Sequence, residues 1–273
     1  MNKLIILTIA LMTMSNVIMA QNTQGLPEKP EVIEVIFGRF NMGNRDAGTG
    51  SGKYFEGITV DTYYIGKYPI TVEQFFAFCK ETQRNMPIAP DWDWQARYPM
   101  VKVEYLDAVS YCEWLSKKYG GTWRLPTEAE WEFAARGGRD GRSYKYSGSN
   151  DLEEVGWYRF SDKEKDFSHN PYPVGLKKPN ELGIYDMTGN VWEWCSDKYS
   201  ESFYISSGTH NPKNKNSSGV DYVIRGGDFF STKEGCLIYV RDKRDGRDRM
   251  DNVGFRVVYI PFPKPKSGVI FSH

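Results

Sequence analysis

The chain has 273 residues, and its 35 lysines and arginines balance its 35 aspartates and glutamates, so the formal net charge is zero. That balance argues against a nucleic-acid-binding protein and gives no electrostatic reason to bind anionic lipid. Hydrophobic residues make up 40% and charged residues 26%, which is a globular composition rather than a disordered one. Aromatic residues reach 15% and occur with 26 glycines and 14 prolines, a mixture that favours short elements and long ordered loops around an aromatic core.

The N-terminus has the layout of a secretory signal peptide. Lys3 precedes an apolar run at residues 4–12, and a mixed stretch then leads to Ala20. The apolar run is too short to span a membrane comfortably. We therefore predict a signal peptide at residues 1–20, a flexible leader at 21–31, and a secreted or periplasmic protein with no membrane span after signal removal. The alternative is an N-terminal anchor that is not cleaved.

Two strands are predicted at the start of the folded region. Residues 32–40 are rich in Val, Ile and Phe, and residues 58–65 alternate loosely between apolar and polar side chains, so each segment is predicted to form one strand. Gly, Asn and Asp dominate residues 41–53, which indicates a loop between them.

Three helices have clear start or stop signals. Thr71 and Gln74 fit a capping box before an apolar run, and Thr127 and Glu130 fit a second one. Between these two helices, residues 106–119 carry apolar side chains at helical spacing and stop at a Gly–Gly pair. A second Gly–Gly pair ends the third helix.

Beyond residue 138 the helical signals nearly vanish, and Gly, Asn, Asp, Pro and aromatic residues dominate. Long loops inside a compact domain are uncommon and tend to be functional or otherwise stabilised. The chain has no convincing internal repeat at a fixed period. We predict one domain at residues 32–262, followed by a C-terminal tail at 263–273.

Six segments are specific enough to indicate a family. They are, in chain order, FNMG at 40–43, YIGKY at 64–68 followed by Thr71, RLPTEAEWE at 124–132, GIYDMTGNVWEW at 183–194, RGG at 225–227 and GFR at 254–256. In this order they resemble the sulfatase-modifying-factor family, whose founding activity is the formylglycine-generating enzyme. The resemblance extends over about residues 32–260. It implies a loop-rich α+β fold related to C-type lectins, with short strands and about three helices.

The resemblance also implies a structural calcium site around GNVWEW. Its ligands would be the carboxylates of Asp186 and Glu193 and the backbone carbonyls of Gly189 and Val191. Calcium takes six to eight hard oxygen ligands, which an irregular loop of this composition can supply. The alternative is that the two tryptophans beside Glu193 are core rings and that Glu193 pairs with a buried arginine.

The founding enzyme converts a sulfatase cysteine to formylglycine with molecular oxygen, using a copper ion held by two cysteines. In that enzyme the Gly–Gly pair is followed by a serine, two residues, the first catalytic cysteine, four residues and the second cysteine. In this chain Asp228 stands at the serine position, Ser231 replaces the first cysteine, and only Cys236 remains. A hydroxyl oxygen is a hard, weak ligand for copper(I), so a thiolate and a hydroxyl do not replace two thiolates. We therefore expect a degenerate catalytic site that does not bind copper.

The four cysteines are permitted to form disulfides in an exported protein, and three pairings are possible. The resemblance implies that the helices carrying Cys79 and Cys112 pack side by side. We therefore hypothesise the disulfides Cys79–Cys112 and Cys195–Cys236. A paired Cys236 would not be a resting nucleophile, because only a thiolate attacks.

A dense run of charges, RDKRDGRDR, occupies residues 241–249. As a solvated loop it would hold alternating ion pairs that each contribute little to stability. Alternatively, Arg241 or Arg244 lies on the rim of the cleft that is the active site in the family and binds a carboxylate, sulfate or peptide there. Arg256, in GFR, is expected to be a buried structural arginine.

The sequence thus favours an exported domain of this family that lacks the copper-binding cysteine pair. Its role would be that of a binding or envelope-assembly module for a peptide, glycan or envelope protein, or of a divergent pseudoenzyme. The alternative is an enzyme, either the formylglycine-generating oxidase acting atypically through Cys236 or a metal-assisted enzyme that uses Asp228 as a ligand or base. Nucleic acid is not an expected partner.

Overall fold

The computed structural model describes residues 29–47, 53–160, 170–206, 208–215 and 219–263. The predicted signal peptide at 1–20, most of the leader at 21–31 and nearly all of the tail at 263–273 lie outside the described residues. Within the described part of the chain, no helix combines the length and apolar character needed to cross a membrane.

Ten strands in the described residues form three sheets. They are β1 (Val32–Val35), β2 (Gly38–Met42), β3 (Phe55–Val60), β4 (Tyr63–Gly66), β5 (Thr122–Arg124), β6 (Trp192–Lys198), β7 (Asp221–Arg225), β8 (Arg241–Asp245), β9 (Val253–Gly254) and β10 (Val258–Ile260). The orders are β1-β4-β10-β5, β2-β3 and β8-β7-β6-β9. Neighbouring strands are antiparallel except for the parallel pair of β6 and β9. Because β10 lies between β4 and β5, the end of the domain is paired with its beginning and its middle.

Five α-helices are present among the described residues. They are α1 (Val72–Thr82), α2 (Tyr105–Tyr119), α3 (Glu128–Ala135), α4 (Leu152–Val155) and α5 (Phe203–Ser206). The first three are the helices predicted from the sequence, and the other two are single turns. Thr127 Oγ1 accepts the Glu130 N–H at 3.2 Å, and the Glu130 carboxylate accepts the Thr127 N–H at 2.8 Å. The second capping box is therefore formed as predicted.

The two predicted strands are each divided into two, and this corrects the sequence analysis. The chain leaves the four-stranded sheet at Ile36 and Phe37, which are 53% and 49% exposed, and then pairs with β3. It returns at Asp61 and Thr62, where the Thr62 hydroxyl accepts the Phe37 N–H at 2.9 Å. A hydrophobic run alone cannot show this change of sheet, because the residues on both sides of the break suit a strand.

The core consists largely of aromatic side chains, as the composition predicted. In one cluster the Tyr111 ring centroid lies 5.9 Å from that of Phe75 and 5.5 Å from that of Phe255, which joins α1, α2 and the segment between β9 and β10. A second cluster surrounds Trp131 of α3, and a third, smaller one contains Cys236.

Helix α3 carries buried charges that other elements must neutralise. All eight of its residues are buried. Glu128 accepts from Arg225 Nη1 at 2.8 Å and from Arg241 Nε and Nη2 at 2.7 and 2.6 Å. Arg225 Nη2 also lies 2.5 Å from Glu132, whose other oxygen accepts from Arg136. We call these five residues the acid–arginine network.

The network keeps Glu132 ionised in spite of its burial. Burial by itself would raise the pKa of Glu132, but Arg136 and Arg225 lower it below its ordinary value. Because Arg225 lies in β7 and Arg241 in β8, these ion pairs fix two strands of one sheet against α3. Removing one partner of such a buried pair leaves an uncompensated charge.

We expect Arg225→Met to lower the free energy of unfolding by about 3–5 kcal/mol, because Glu128 and Glu132 then share fewer positive charges in the interior. Urea unfolding followed by tryptophan fluorescence measures the change. The matched control is Arg45→Met, since Arg45 pairs with Glu56 at 2.7 Å on the exposed surface and its loss should leave the stability nearly unchanged. Equal losses in the two variants would contradict the importance of the buried network.

Candidate functional site

The segment that carries the predicted catalytic positions begins at a tight turn after β7. Gly226 and Gly227 have φ values of 105° and 76°, which residues other than glycine rarely adopt. A Cβ added to Gly227 would lie 2.9 Å from Cys236 Sγ. The turn therefore brings the backbone close over the one cysteine that remains at this site.

Asp228 and Ser231 are joined directly. Asp228 Oδ1 accepts from Ser231 Oγ at 2.5 Å and from the Phe230 N–H at 3.1 Å, and Ser231 Oγ accepts the Asp228 N–H at 3.1 Å. The second carboxylate oxygen accepts from the side-chain amide of Asn252. We call Asp228, Ser231 and Asn252 the aspartate–serine cluster. Its polar groups bind one another at the position where the enzyme has its first catalytic cysteine.

Asp228 is 2% exposed, and burial raises its pKa above the usual range although Ser231 and Asn252 donate to it. Both carboxylate oxygens accept hydrogen bonds from the protein itself. A metal ion or a substrate proton would have to displace these internal donors. The geometry thus gives Asp228 a loop-anchoring position.

Cys236 lies in an apolar environment beneath this cluster. It is 1% exposed and packs with Tyr146, Leu152, Val155 and Tyr158. Burial raises the pKa of its thiol well above the ordinary value, and Asp228 and Glu234 raise it further. At neutral pH this cysteine is a protonated thiol, which is neither a nucleophile nor a good metal ligand.

The predicted disulfides are absent from the structure, which corrects the pairing hypothesis. All four cysteines are free and buried. Cys195 belongs to the core cluster around α3, whereas Cys236 belongs to the small third cluster, so packing separates these two. Cys79 and Cys112 do share one cluster, but Cys79 Sγ donates to the Asn85 carbonyl at 3.8 Å, and burial raises its pKa to about 11.

Asp186, proposed as a calcium ligand, occupies an irregular loop. It has a φ of 56°, in the left-handed region, and is 3% exposed. Oδ2 accepts the Gly175 N–H at 2.8 Å, while Oδ1 has only a long 3.4 Å contact with Asn190 Nδ2. Burial raises the pKa of Asp186 to about 6. A buried carboxylate with one weakly bonded oxygen is a suitable cation ligand.

Glu193 fits a calcium site less well. It accepts from Arg256 Nε and Nη2, each at 2.7 Å, and from Trp131 Nε1 at 2.7 Å. Arg256 is fully buried and also donates to the Gly66 carbonyl at 2.8 Å. The predicted structural arginine is thus present, and a cation at Glu193 would lie beside a guanidinium. Within the described ranges, no group of three or more His, Cys, Asp or Glu side chains is placed to hold a metal ion.

The charged segment proposed as a cleft rim is mainly a strand, and this corrects the prediction of a loop. Residues 241–245 form β8 at the edge of a sheet, where charged side chains discourage pairing with other chains. Arg241 is 7% exposed and binds Glu128, so its guanidinium lies inside the protein and not on an open rim. Arg244 is part-exposed and contacts Asp242 at 3.3 Å.

Aromatic side chains next to the aspartate–serine cluster were not identified as site residues from the sequence. Phe230 is 44% exposed, and its ring centroid lies 4.4 Å from that of Phe229. Phe229 in turn meets the Trp92 ring edge-on at 5.8 Å. The aromatic excess in the composition was the available signal, but it could not separate these rings from core rings.

A second aromatic pair is attached to the same region through Asn190. The Trp157 and Tyr172 rings stack at 3.8 Å. The side-chain oxygen of Asn190 accepts the Tyr172 N–H at 3.0 Å, and its backbone carbonyl accepts the Phe229 N–H at 3.0 Å. GNVWEW therefore organises the loops around the site through an amide as well as through its buried acid.

The sequence matches a protein-family model described as sulfatase-modifying factor enzyme 1-like domain over residues 17–260. The chain therefore belongs to the sulfatase-modifying factor family, as its motifs predicted. The formylglycine-generating enzyme of Streptomyces coelicolor is 36% identical over 171 residues, which cover 58% of this chain and 52% of the enzyme. The chain thus spans about half the length of that relative.

Other similar proteins include one whose name describes it as inactive. A mouse protein named inactive C-alpha-formylglycine-generating enzyme 2 is 28% identical over 290 residues, covering 85% of this chain and 86% of that protein. The solved structure of PvdO from Pseudomonas aeruginosa is 26% identical with a TM-score of 0.75, covering 86% of this chain and 95% of that one. The predicted α+β fold of this family is confirmed. Membership alone does not fix an activity, because one of these relatives is named as inactive.

We expect that no cysteine of the native protein reacts rapidly with a thiol reagent such as dithionitrobenzoate. In urea without any reductant, all four cysteines should react. The reason is that burial keeps the native thiols protonated and inaccessible, while no disulfide withholds them after unfolding. A parallel sample reduced before unfolding is the control and should give the same four. Two or no thiols in the unreduced urea sample would show that disulfides form and would contradict the structure.

Proposed function

We propose that this chain is an exported, non-oxidase member of the sulfatase-modifying factor family that acts by binding. The observation that carries the proposal is the aspartate–serine cluster. Where the oxidase needs a cysteine, Ser231 donates its hydroxyl to Asp228 at 2.5 Å, and the remaining Cys236 is a buried thiol. Two thiolates able to share a copper(I) ion are therefore not available at this site.

The surroundings of the cluster support a recognition role. Phe230 presents a partly exposed ring, backed by Phe229 and Trp92, and aromatic rings with rigid support provide large contact areas at little entropic cost. The partner class that we propose is a peptide, a glycan or another envelope protein. Export rests on the N-terminal sequence pattern.

The alternative is that the chain is an enzyme acting through Cys236 or Asp228. Cys236 would need to lose its proton in an apolar environment beside Asp228, which opposes thiolate formation. A metal-assisted reaction at Asp228 would need to break its bonds to Ser231 and Asn252. Both requirements favour the binding role over the enzymatic one.

Incubation with a peptide carrying a sulfatase motif, copper and oxygen, followed by mass spectrometry, tests the proposal. We expect no aldehyde product from this protein, whereas the Streptomyces coelicolor formylglycine-generating enzyme provides the positive control. Ser231→Cys is the matched variant, since it restores the missing thiol and shows whether the rest of the site still supports the chemistry. Aldehyde formed by the unaltered protein and lost in Cys236→Ala would overturn the proposal.

We also propose a structural calcium ion at Asp186 with the backbone carbonyls of Gly189 and Val191, and with Glu193 as the weakest member of the predicted set. The assignment is supported by Asp186 Oδ1, whose hydrogen-bond contact with Asn190 Nδ2 is long at 3.4 Å. Calcium there would supply charge neutralisation to an irregular loop. No catalytic role follows from it.

We expect calcium to raise the melting temperature of the chelator-treated protein by roughly 2–4 °C for each 1 kcal/mol of binding free energy. Asp186→Asn should remove most of this gain, because it removes the only weakly bonded carboxylate of the set. Asp91→Asn, at an exposed position, is the control and should keep the gain. An unchanged melting temperature in the unaltered protein with and without chelator would reject the site.

A further inference from the structure

A cleft of about 750 Å³ lies away from the aspartate–serine cluster and shares none of its residues. Its walls come from the turn between β3 and β4, the start of α3 and the segment at 208–215. The residues that matter for its chemistry are Asp61, Arg124, Thr127, Asn211, Lys213 and Lys215. A volume of this size suits a small-molecule ligand. We call it the lysine cleft.

One wall of the lysine cleft is a segment fixed to the rest of the domain at both ends. We call residues 208–215 the strap. Near its start, the Thr59 N–H donates to the Thr209 carbonyl at 2.8 Å, and Asn211 Nδ2 donates to Asp61 at 2.7 Å. Near its end, the Asn214 N–H donates to Asp197 Oδ1 at 2.9 Å. The strap is therefore held in place by hydrogen bonds and does not rely on its own packing.

The strap presents alternate side chains to the cleft. Pro212 and Asn214 are buried, whereas Lys213 and Lys215 line the cleft. Asp197 Oδ2 also accepts the Glu128 N–H at 2.9 Å, so the same carboxylate fixes the strap and the first turn of α3. The two lysines thus keep a defined position relative to the opposite wall.

Of the positive charges around the cleft, Arg124 has a direct carboxylate partner and Lys213 has none among the described residues. The Arg124 guanidinium donates to both oxygens of Glu130 at 2.6 and 2.7 Å, so these two charges cancel. The Lys213 ammonium has no salt bridge or hydrogen bond with any described residue. It is only partly exposed, and burial, with smaller contributions from Arg124 and Lys215, lowers its pKa below the ordinary value although the nearby carboxylates of Asp197 and Glu130 favour its charged form.

A partly buried ammonium with no carboxylate of the described residues in direct contact is complementary to an anion that brings its own carboxylate. Thr127 and Asn211 add polar groups to the same walls, and Tyr63 and Ile260 add apolar surface. We propose that the lysine cleft binds a small carboxylate-bearing ligand, with Lys213 as its ion-pair partner and Lys215 as a second cation at the mouth. Asp61 is mostly exposed on the facing wall, so a second negative charge on the ligand would be repelled at that wall.

Isothermal titration calorimetry at low ionic strength tests this proposal with two acidic probes, digalacturonic acid and the dipeptide glutamyl-glutamate. Neutral galactobiose and N-acetylated, C-amidated glutaminyl-glutamine are the uncharged counterparts, and the acidic dipeptide carries the same two end groups so that only its side chains are charged. We expect at least one acidic probe to bind and its neutral counterpart to bind at least tenfold more weakly. Binding of the saccharide alone would identify the carboxylate source as a glycan, and binding of the dipeptide alone would identify it as a peptide.

Three variants locate the binding. Lys213→Gln should weaken binding about tenfold or more, since a charge-assisted hydrogen bond is lost. Lys80→Gln removes the same charge from an exposed position outside the cleft and should change nothing. Asp61→Asn should strengthen binding about twofold or more, an effect that misfolding cannot produce. The proposal is overturned if neither acidic probe binds or if Lys213→Gln binds as tightly as the unaltered protein.

Discussion

Two glutamates on α3 have almost no access to water, so each must meet positive charge inside the protein. Arg225 reaches both of them, Arg241 binds Glu128, and Arg136 binds Glu132. The partners come from β7, β8 and the end of α3 itself. This requirement fixes how the sheet that contains β7 and β8 packs on α3. The nearby ion pair of Glu193 and Arg256 fixes the position of the GNVWEW segment in the same way.

The position of the candidate site depends on the acid–arginine network. Arg225 is held by two carboxylates, and the next two residues are the glycines whose turn leads to Asp228. The motifs that identify the family are therefore mainly scaffold: they supply capping groups, buried acids and the arginines that neutralise them. The oxidase chemistry depends on a few side chains held by that scaffold. In the proposed function, Ser231 at the cysteine position removes the oxidase chemistry while the ion pairs remain, and it forms the aspartate–serine cluster with Asp228.

Features set by neighbouring residues were predictable from the sequence, and features set by distant contacts were not. The capping box of Thr127 and Glu130 involves residues three apart, so the start of α3 was correctly predicted. For Arg241 the sequence offered only a solvated loop or an open rim, because its partner Glu128 is 113 residues away and its neighbours in sequence are charged. The division of residues 32–40 between two sheets and the separation of Cys195 from Cys236 depend on tertiary packing in the same way. The lysine cleft had no signal in the sequence, because it exists only once the strap is bonded to Thr59 and Asp197.

We propose that this scaffold holds no copper centre. Titration of the purified protein with copper(I) in the presence of a chromogenic chelator tests it directly, since the chelator reports any copper that the protein removes. We predict no stoichiometric uptake, because Cys236 is a buried, protonated thiol and Ser231 is bonded to Asp228. Uptake of one copper ion per chain that is lost in Cys236→Ala would contradict the account.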